Sequence, residues 1–219
     1  HDLRTPLTSI YGASSAIIEN FDVLTKEQRL KLTGEIREDA QWLIRMVENL
    51  LSVTRIDSGN VQIRKTSTVL EELIDAVILK FRKHFPEQRI TVQIPDDIVM
   101  IPMDAMLIEQ VLVNILENAV NHAVGMTELI LRVEKQDNLA VFSVEDNGCG
   151  IPPERMRQLF TGYLERPEQP ADGSRHNMGI GLSVCYAIIK AHGSEIVAKN
   201  KPEGGAVFTF CLEMEDSDE

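Results

Sequence analysis

The apolar positions of the first twenty or so residues recur in alternating steps of four and three, at Leu3, Leu7, Ile10, Ile17 and Phe21, with Ser14 filling the gap. That spacing predicts a helix with one apolar seam of the kind that packs against other helices. A second helix is predicted from Thr25, whose hydroxyl can cap the first turn while Gln28 reaches back, and its seam reads Ile36, Ala40, Leu43, Val47 and Leu50. Two seamed helices form a hairpin. A lone hairpin leaves both seams half covered, so two chains are expected to pair into a homodimeric four-helix bundle. Pro6 lies in the first helix without an N–H to donate, which predicts a bend there. At about 100° per residue, His1 and Thr5 fall one turn apart on the solvent face, roughly 160° from the seam, and Asp2 falls about 100° from it. Taken alone, His1 reads as a surface histidine without a role.

Beyond the linker Asp57-Ser-Gly-Asn60 the pattern mixes period two with period 3.6. Strands are predicted at 61–63, 89–94, 99–101, 128–134, 139–145, 195–200 and 206–212, and helices at 68–84, 104–122, 153–160 and 179–192, with a polar loop over 161–176. Strands and helices alternate only loosely, and the last two strands are adjacent. The expected fold is therefore α+β: an N-terminal helical hairpin followed by an α/β sandwich with a mixed sheet, not a doubly wound one. The domain boundaries expected are 1–58 for the hairpin, 59–214 for the sandwich, and 215–219 for an acidic tail.

Composition narrows the partners. The chain has 219 residues, 43% hydrophobic and 26% charged, enough to bury a core in one or two soluble domains. The sequence has no apolar run of membrane-spanning length and no signal-peptide pattern, so a soluble, cytoplasmic piece is expected. Net charge is −12, and five of the negative charges lie in the tail from Glu213 to Glu219. Nucleic acid and anionic membrane are poor partners for such a surface. Cys149, Cys185 and Cys211 stand far apart, at neither metal-ligand nor redox-motif spacing, which points to a reduced compartment and no zinc site.

Chemistry concentrates at Asp146-Asn147-Gly148-Cys149-Gly150-Ile151. A carboxylate at the end of a strand, followed by two glycines one residue apart, suits a pocket in which a flat ring lies against tight backbone and gives its amino hydrogen to Asp146. The same tripeptide Asp-Asn-Gly is also common turn punctuation. Asn114, Asn118 and Asn121 recur at i, i+4, i+7 on an otherwise apolar helix. Their amides either hold a ligand such as Mg²⁺, for which an amide oxygen is a suitably hard donor, or simply face solvent. Gly179-Ile-Gly181-Leu182 opens a helix whose free N–H groups could attract phosphate, with Arg175, His176 and Asn177 in the loop before it. Gly204-Gly205 before the last strand reads as a hairpin turn.

HDLRTPLT at residues 1 to 8 resembles the phosphoacceptor box of two-component sensor histidine kinases. NILENAVNHA at 114 to 123 is similar to that family's asparagine box, DNGCGI at 146 to 151 to its first glycine box, Phe160 to its phenylalanine box, and NMGIGL at 177 to 182 to its second glycine box. Order and spacing agree from His1 to Leu212. The segment DAMLIEQVLVNILENA is similar to the sensors that control potassium uptake. The resemblance implies a dimeric phosphotransfer hairpin followed by an ATPase domain of the Hsp90, gyrase and MutL type.

It also implies roles. His1 would be the nucleophile toward the γ-phosphate of ATP, Asp2 would take or orient its other ring proton, and Thr5 would orient water for dephosphorylating the partner. Asn118 would hold Mg²⁺, and Asn114 would help at the phosphate and metal end. Asp146 would read adenine, while Gly148, Gly150, Gly179 and Gly181 would shape the pocket. Asn121, His122, Ile151, Phe160 and Leu182 complete the expected nucleotide-binding set. The expected activity is autophosphorylation of His1 from Mg-ATP and transfer to an aspartate of a response regulator, with dephosphorylation of that regulator as a second activity. The alternatives are a phosphatase-dominant or weakly ATP-binding regulatory module and an ATP-driven clamp of the Hsp90 or MutL kind. Two positions depart from the family pattern: Asn177 stands where a glycine is usual, and Asn121 where lysine is common. Weaker ATP binding than is typical of the family is expected. An acceptor helix that starts at its own nucleophile is further expected to be the cytoplasmic portion of a membrane-anchored bacterial sensor.

Overall fold

The computed structural model describes residues 3–57, 63–157, 159–160 and 180–215, the side chains at 45, 48–57 and 180 excepted. Cα packing separates two compact units, which among these residues divide at residues 52 and 53.

The first unit is a helical hairpin. Helix α1 spans Arg4–Glu19 and helix α2 spans Lys26–Asp57. The capping box read from the sequence is present in both directions: the Gln28 N–H donates to Thr25 Oγ1 at 3.2 Å, and the Thr25 N–H donates to Gln28 Oε1 at 2.9 Å. At the other side of the turn the Arg29 guanidinium lies 4.9 Å over the Phe21 ring. The predicted seam divides. Ile10, Ser14 and Ile17 are half-buried with Ala13 buried beside them, whereas Leu7 (54%) and Phe21 (55%) are exposed along with Tyr11 and Ile18. On α2, Ile36, Ala40 and Leu43 are half-buried and Val47 is exposed, while the Leu50 side chain lies outside the described residues. The apolar surface is thus wider than the two helices of one chain cover. Among the described residues α1 spans Arg4–Glu19 with Pro6 buried near its start, and residues 1 and 2, on which the predicted bend bears, lie outside the described residues.

The second unit is an α/β sandwich. Five strands lie in the order β2 (Thr91–Gln93), β4 (Leu129–Gln136), β5 (Leu139–Asp146), β7 (Ala206–Glu213) and β6 (Ile196–Asn200). β2 runs parallel to β4 and every other neighbour is antiparallel, which makes the sheet mixed as the sequence predicted. Alternation sets its faces: Ala140, Phe142 and Val144 of β5 and Ala206, Phe208, Phe210 and Leu212 of β7 are buried, and the residues between them are not. Phe142 and Phe210 face each other in register and stack at 4.8 Å. Helices α3 (Leu70–His84), α4 (Ala105–His122) and α6 (Ile180–Ala191) contribute the apolar stripes that share this core. α3 carries Glu71 and Glu72 in its first turn and Arg82, Lys83 and His84 in its last, each end matched to the helix dipole.

Two elements differ from the sequence reading by more than two residues. Residue 63 is irregular and 61 and 62 lie outside the described residues; the first strand is β1, Thr66–Val69, antiparallel to β3, Met100–Met103, so α3 starts at Leu70. Thr66 to Val69 show no clean alternation, the first two being exposed and the last two half-buried, and the strand is defined by its pairing with β3. The short helix α5, Pro153–Met156, ends before the expected residue 160.

α6 is fastened to the start of α4 by His192, which is buried. Its Nδ1 donates to the Ile188 carbonyl at 2.8 Å, its Nε2 accepts from the Asp104 N–H at 3.2 Å, and its own carbonyl accepts from Lys65 Nζ at 3.1 Å. Burial pushes the imidazole below its ordinary pKa; the hydrogen bond to Ile188 opposes it, the Lys65 charge adds to it, and the Asp104 charge opposes it least. The neutral tautomer is therefore the one that fits both hydrogen bonds.

Candidate functional site

β5 ends at Asp146, a residue only 6% exposed. Oδ1 accepts from the N–H of Gly148 at 2.9 Å and from the N–H of Ala206 on β7 at 3.3 Å. Oδ2 has no hydrogen bond among the described residues. A carboxylate held by one oxygen offers the other to an incoming N–H donor without having to be oriented first.

The loop that follows is fixed residue by residue. Asn147 turns away from Asp146 and staples the loop to the start of β4: its Oδ1 accepts from the N–H groups of Thr127 and Glu128, both at 2.9 Å, and its Nδ2 donates to Thr127 Oγ1 at 2.8 Å. Gly148 lies against the end of α4, where a Cβ would come within 2.7 Å of the Ala123 Cβ. Gly150 has φ +73 and Ile151 is bonded through both backbone groups to Asn200. Beneath them Gly205, φ +87, lies so close that a Cβ would overlap the Asp146 carbonyl oxygen. Gly204-Gly205 does turn the β6–β7 hairpin, as the sequence suggested, and Gly205 in addition lets that turn pass directly under the loop. The sequence reading assigned neither Asn147 nor Gly205 a role in holding the loop, and did not single out Asn200. The signal available was a glycine pair opening a strand and an asparagine closing one.

α4 forms the neighbouring wall. Its N-cap, Asp104, accepts from the Leu107 N–H at 3.3 Å, and its buried side runs through Ile108, Leu112, Ile115 and Ala119. Asn114 is half-buried beside α6, 4.0 Å from where a Cβ on Gly181 would stand. It also shares a hydrogen bond with the Cys185 thiol, whose pKa burial pushes up to about 12 against that bond. Asn118 is half-buried and Asn121 exposed, and neither side chain has a hydrogen bond among the described residues. His122 is half-buried at the helix end, and its carbonyl lies 3.7 Å from Cys149 Sγ. The structure thus brings α4 and the Asp146–Ile151 loop together, with Gly181 of α6 beside Asn114. Phe160 is half-buried between the Tyr186 ring at 6.1 Å and the edge of the Phe208 ring at 6.5 Å. Leu182 is in the core and Ile151 packs against it. Thr5 is exposed on α1. His1, Asp2, Gly179 and the polar loop with Arg175, His176 and Asn177 lie outside the described residues.

An open groove of about 660 Å³ lies elsewhere, between the residues after β2 and strand β4, lined by Asp96, Asp97, Arg132 and Lys135. It has no part in this site: its charges are matched locally, with Lys135 Nζ 2.9 Å from Asp97. No described helix is long and apolar enough to cross a membrane.

Fold and loop define the second unit as a domain of the histidine kinase-, DNA gyrase B- and HSP90-like ATPase family, which residues 103–216 match. Residues 1–59 match the His Kinase A phosphoacceptor domain, and the chain belongs to the sensor histidine kinases. It is 38% identical over 215 residues to the sensor protein KdpD of Clostridium acetobutylicum, a match that covers 98% of this chain and 24% of that protein. The chain spans about a quarter of the length of that relative. Among solved structures it superposes on the Acinetobacter baumannii histidine kinase AdeS with a TM-score of 0.72 at 22% identity, covering 99% of this chain and 98% of that one. A histidine kinase ThkA solved in complex with the response regulator protein TrrA gives 0.70 at 23% identity, covering 100% of this chain and 60% of that one. At these identities the two structures speak to the fold.

Proposed function

We propose that the chain is the catalytic core of a protein-histidine kinase that binds Mg-ATP between the Asp146–Ile151 loop and α4, phosphorylates His1, and passes the phosphoryl group to an aspartate of a response regulator. The observation that carries the nucleotide part is the divided carboxylate of Asp146: Oδ1 is taken by two backbone N–H groups while Oδ2 is left for a ligand's amino group. Loop glycines leave flat backbone beside it, which suits a purine ring. On α4, the Asn118 amide has no protein partner among the described residues and offers a hard oxygen to Mg²⁺, and Asn114 lies one turn further toward α6. A bound Mg²⁺ would neutralise charge on the phosphates, and these residues position them; phosphoryl transfer depends mainly on such positioning. ThkA's structure with TrrA supports a response regulator as partner.

The hairpin is the dimerisation and phosphotransfer domain in this reading, covering residues 1–58, and residues 59–214 bind the nucleotide. Its exposed Leu7, Tyr11, Ile18 and Phe21 support pairing with a second copy, since two helices leave them uncovered. The His Kinase A match over residues 1–59 favours the kinase over a clamp of the HSP90 kind. Thr5, exposed on α1, orients the water that hydrolyses the phosphorylated regulator. Asn121, exposed and uncharged where the family often carries lysine, makes ATP binding weaker than is usual; a sub-micromolar affinity for Mg-ATP contradicts that point.

Incubation with ATP labelled on the γ-phosphate tests the proposal. The expected product is an acid-labile, base-stable phosphoprotein that His1→Gln fails to form, and stable phosphoserine or no label overturns it. Thr5→Ala is expected to keep autophosphorylation and slow phosphate release from the regulator.

A further inference from the structure

We propose that Asn200 is a positioning residue for nucleotide binding: its carboxamide clamps Ile151 and so holds Gly150 in the left-handed conformation that the pocket loop requires. Asn200 is the last residue of β6, forty-nine positions along the chain from Ile151. Its Oδ1 accepts from the Ile151 N–H at 2.8 Å and its Nδ2 donates to the Ile151 carbonyl at 2.8 Å. One side chain thereby satisfies both backbone groups of a single loop residue, as a paired strand would. The neighbouring Gly150 has φ +73, and a Cβ on it would stand 3.0 Å from Asn200 Oδ1, so the clamp and the glycine fit each other.

The rest of the loop shows why this matters. Asp146 Oδ1 is tied to Ala206 across the sheet and Asn147 is tied to Thr127 and Glu128, so the loop's first half is fixed from β4 and β7. Its second half, at Gly150 and Ile151, has its side-chain anchor in Asn200 among the described residues. Without that anchor the backbone from Cys149 to Pro152 samples other conformations. A ligand must then select the competent one, and affinity falls by the fraction lost. Asn200 is itself exposed, so removing it leaves the core untouched.

The inference rests on the nucleotide reading of this site, and the experiment separates the two. ADP is titrated calorimetrically into wild type, Asn200→Ala, Asn200→Asp and Asn200→Ser at a temperature where each is fully folded. Backbone amide exchange at Ile151 is followed in the nucleotide-free proteins. Two lost hydrogen bonds at a partly solvated position are expected to raise the ADP Kd about five- to tenfold in Asn200→Ala. Asn200→Asp, which sets a carboxylate oxygen against the Ile151 carbonyl, loses at least as much, and Asn200→Ser, whose hydroxyl stands about where the asparagine Cγ was and falls short of both Ile151 backbone groups, loses as much as alanine. KM for ATP rises in parallel while the autophosphorylation rate at saturating ATP stays unchanged, and Ile151 exchanges about tenfold faster in Asn200→Ala. A merely structural role would lower the melting temperature and leave Kd of the folded protein where it was. An unchanged Kd, or unchanged exchange at Ile151, overturns the inference. Failure of the wild type to bind ADP overturns the nucleotide reading instead, and the exchange measurement still decides whether the clamp exists.

Discussion

On the loop side of the site, Asp146 Oδ1, Asn147 and Ile151 all find their partners within the protein, whereas on the α4 side the amides of Asn118 and Asn121 have no hydrogen bond among the described residues. The first wall is finished before any ligand arrives; the second is left open toward one. The difference matches the two ends of a nucleotide. A rigid purine with fixed donors is best met by a rigid wall, and a phosphate chain with its metal and waters by groups that can adjust. A change on the loop side should therefore damage folding, binding or both, and a change at Asn118 or Asn121 should damage binding alone.

The largest effect expected is from Gly205→Ala. A Cβ there overlaps the Asp146 carbonyl and forces a left-handed residue, so stability should fall by about 3–5 kcal/mol, measured by denaturant unfolding. A loss under about 1 kcal/mol would mean that the β6–β7 turn can simply move aside. Next comes Asp146→Asn, which keeps an oxygen for Gly148 and Ala206 but turns an amide donor toward the ligand. Nucleotide affinity should fall roughly 30-fold with stability nearly unchanged, as expected for losing a charged acceptor. Asn118→Ala sharpens the contrast: about a tenfold loss confined to binding measured with Mg²⁺ present, no loss without it, and an unaltered melting temperature. If Asn118→Ala destabilises the fold instead, the stripe is structural and the contrast fails.

The smallest effect concerns the junction behind both walls. Burial holds His192 below its ordinary pKa of 6.5, so the folded protein keeps it neutral where the unfolded chain would protonate it. Its contribution to stability is therefore complete above about pH 6.5 and is lost as the pH falls through that value toward and past the lower folded pKa. Denaturation midpoints between pH 7 and pH 5 should decline less steeply in His192→Gln than in wild type. Equal slopes would place the acid sensitivity elsewhere.

Much of this was legible along the chain. The Thr25 and Gln28 capping box, the alternation of β5 and β7, and the apolar side of α4 are local patterns written at fixed spacing, and each element formed where its pattern lay. What escaped notice depends on contacts between distant positions. β1 is a strand because Met100–Met103 lies beside it, and Gly205 is indispensable because Asp146, fifty-nine residues earlier, passes above it. Asn147 and Asn200 look like ordinary turn and strand-end residues until the fold brings Thr127 and Ile151 to them. The hairpin seam was read correctly in period but not in extent, since the exposed Tyr11 and Ile18 widen the apolar surface beyond the predicted line.

The central claim is that Asp146 is the recognition point of a nucleotide pocket, and a calorimetric titration of ADP into the wild-type chain and Asp146→Asn tests it most directly. The account predicts saturable binding of one ADP per wild-type chain and a much weakened isotherm for the variant, both proteins being folded. Equal affinity in the two, or no ADP bound by the wild type, would contradict it.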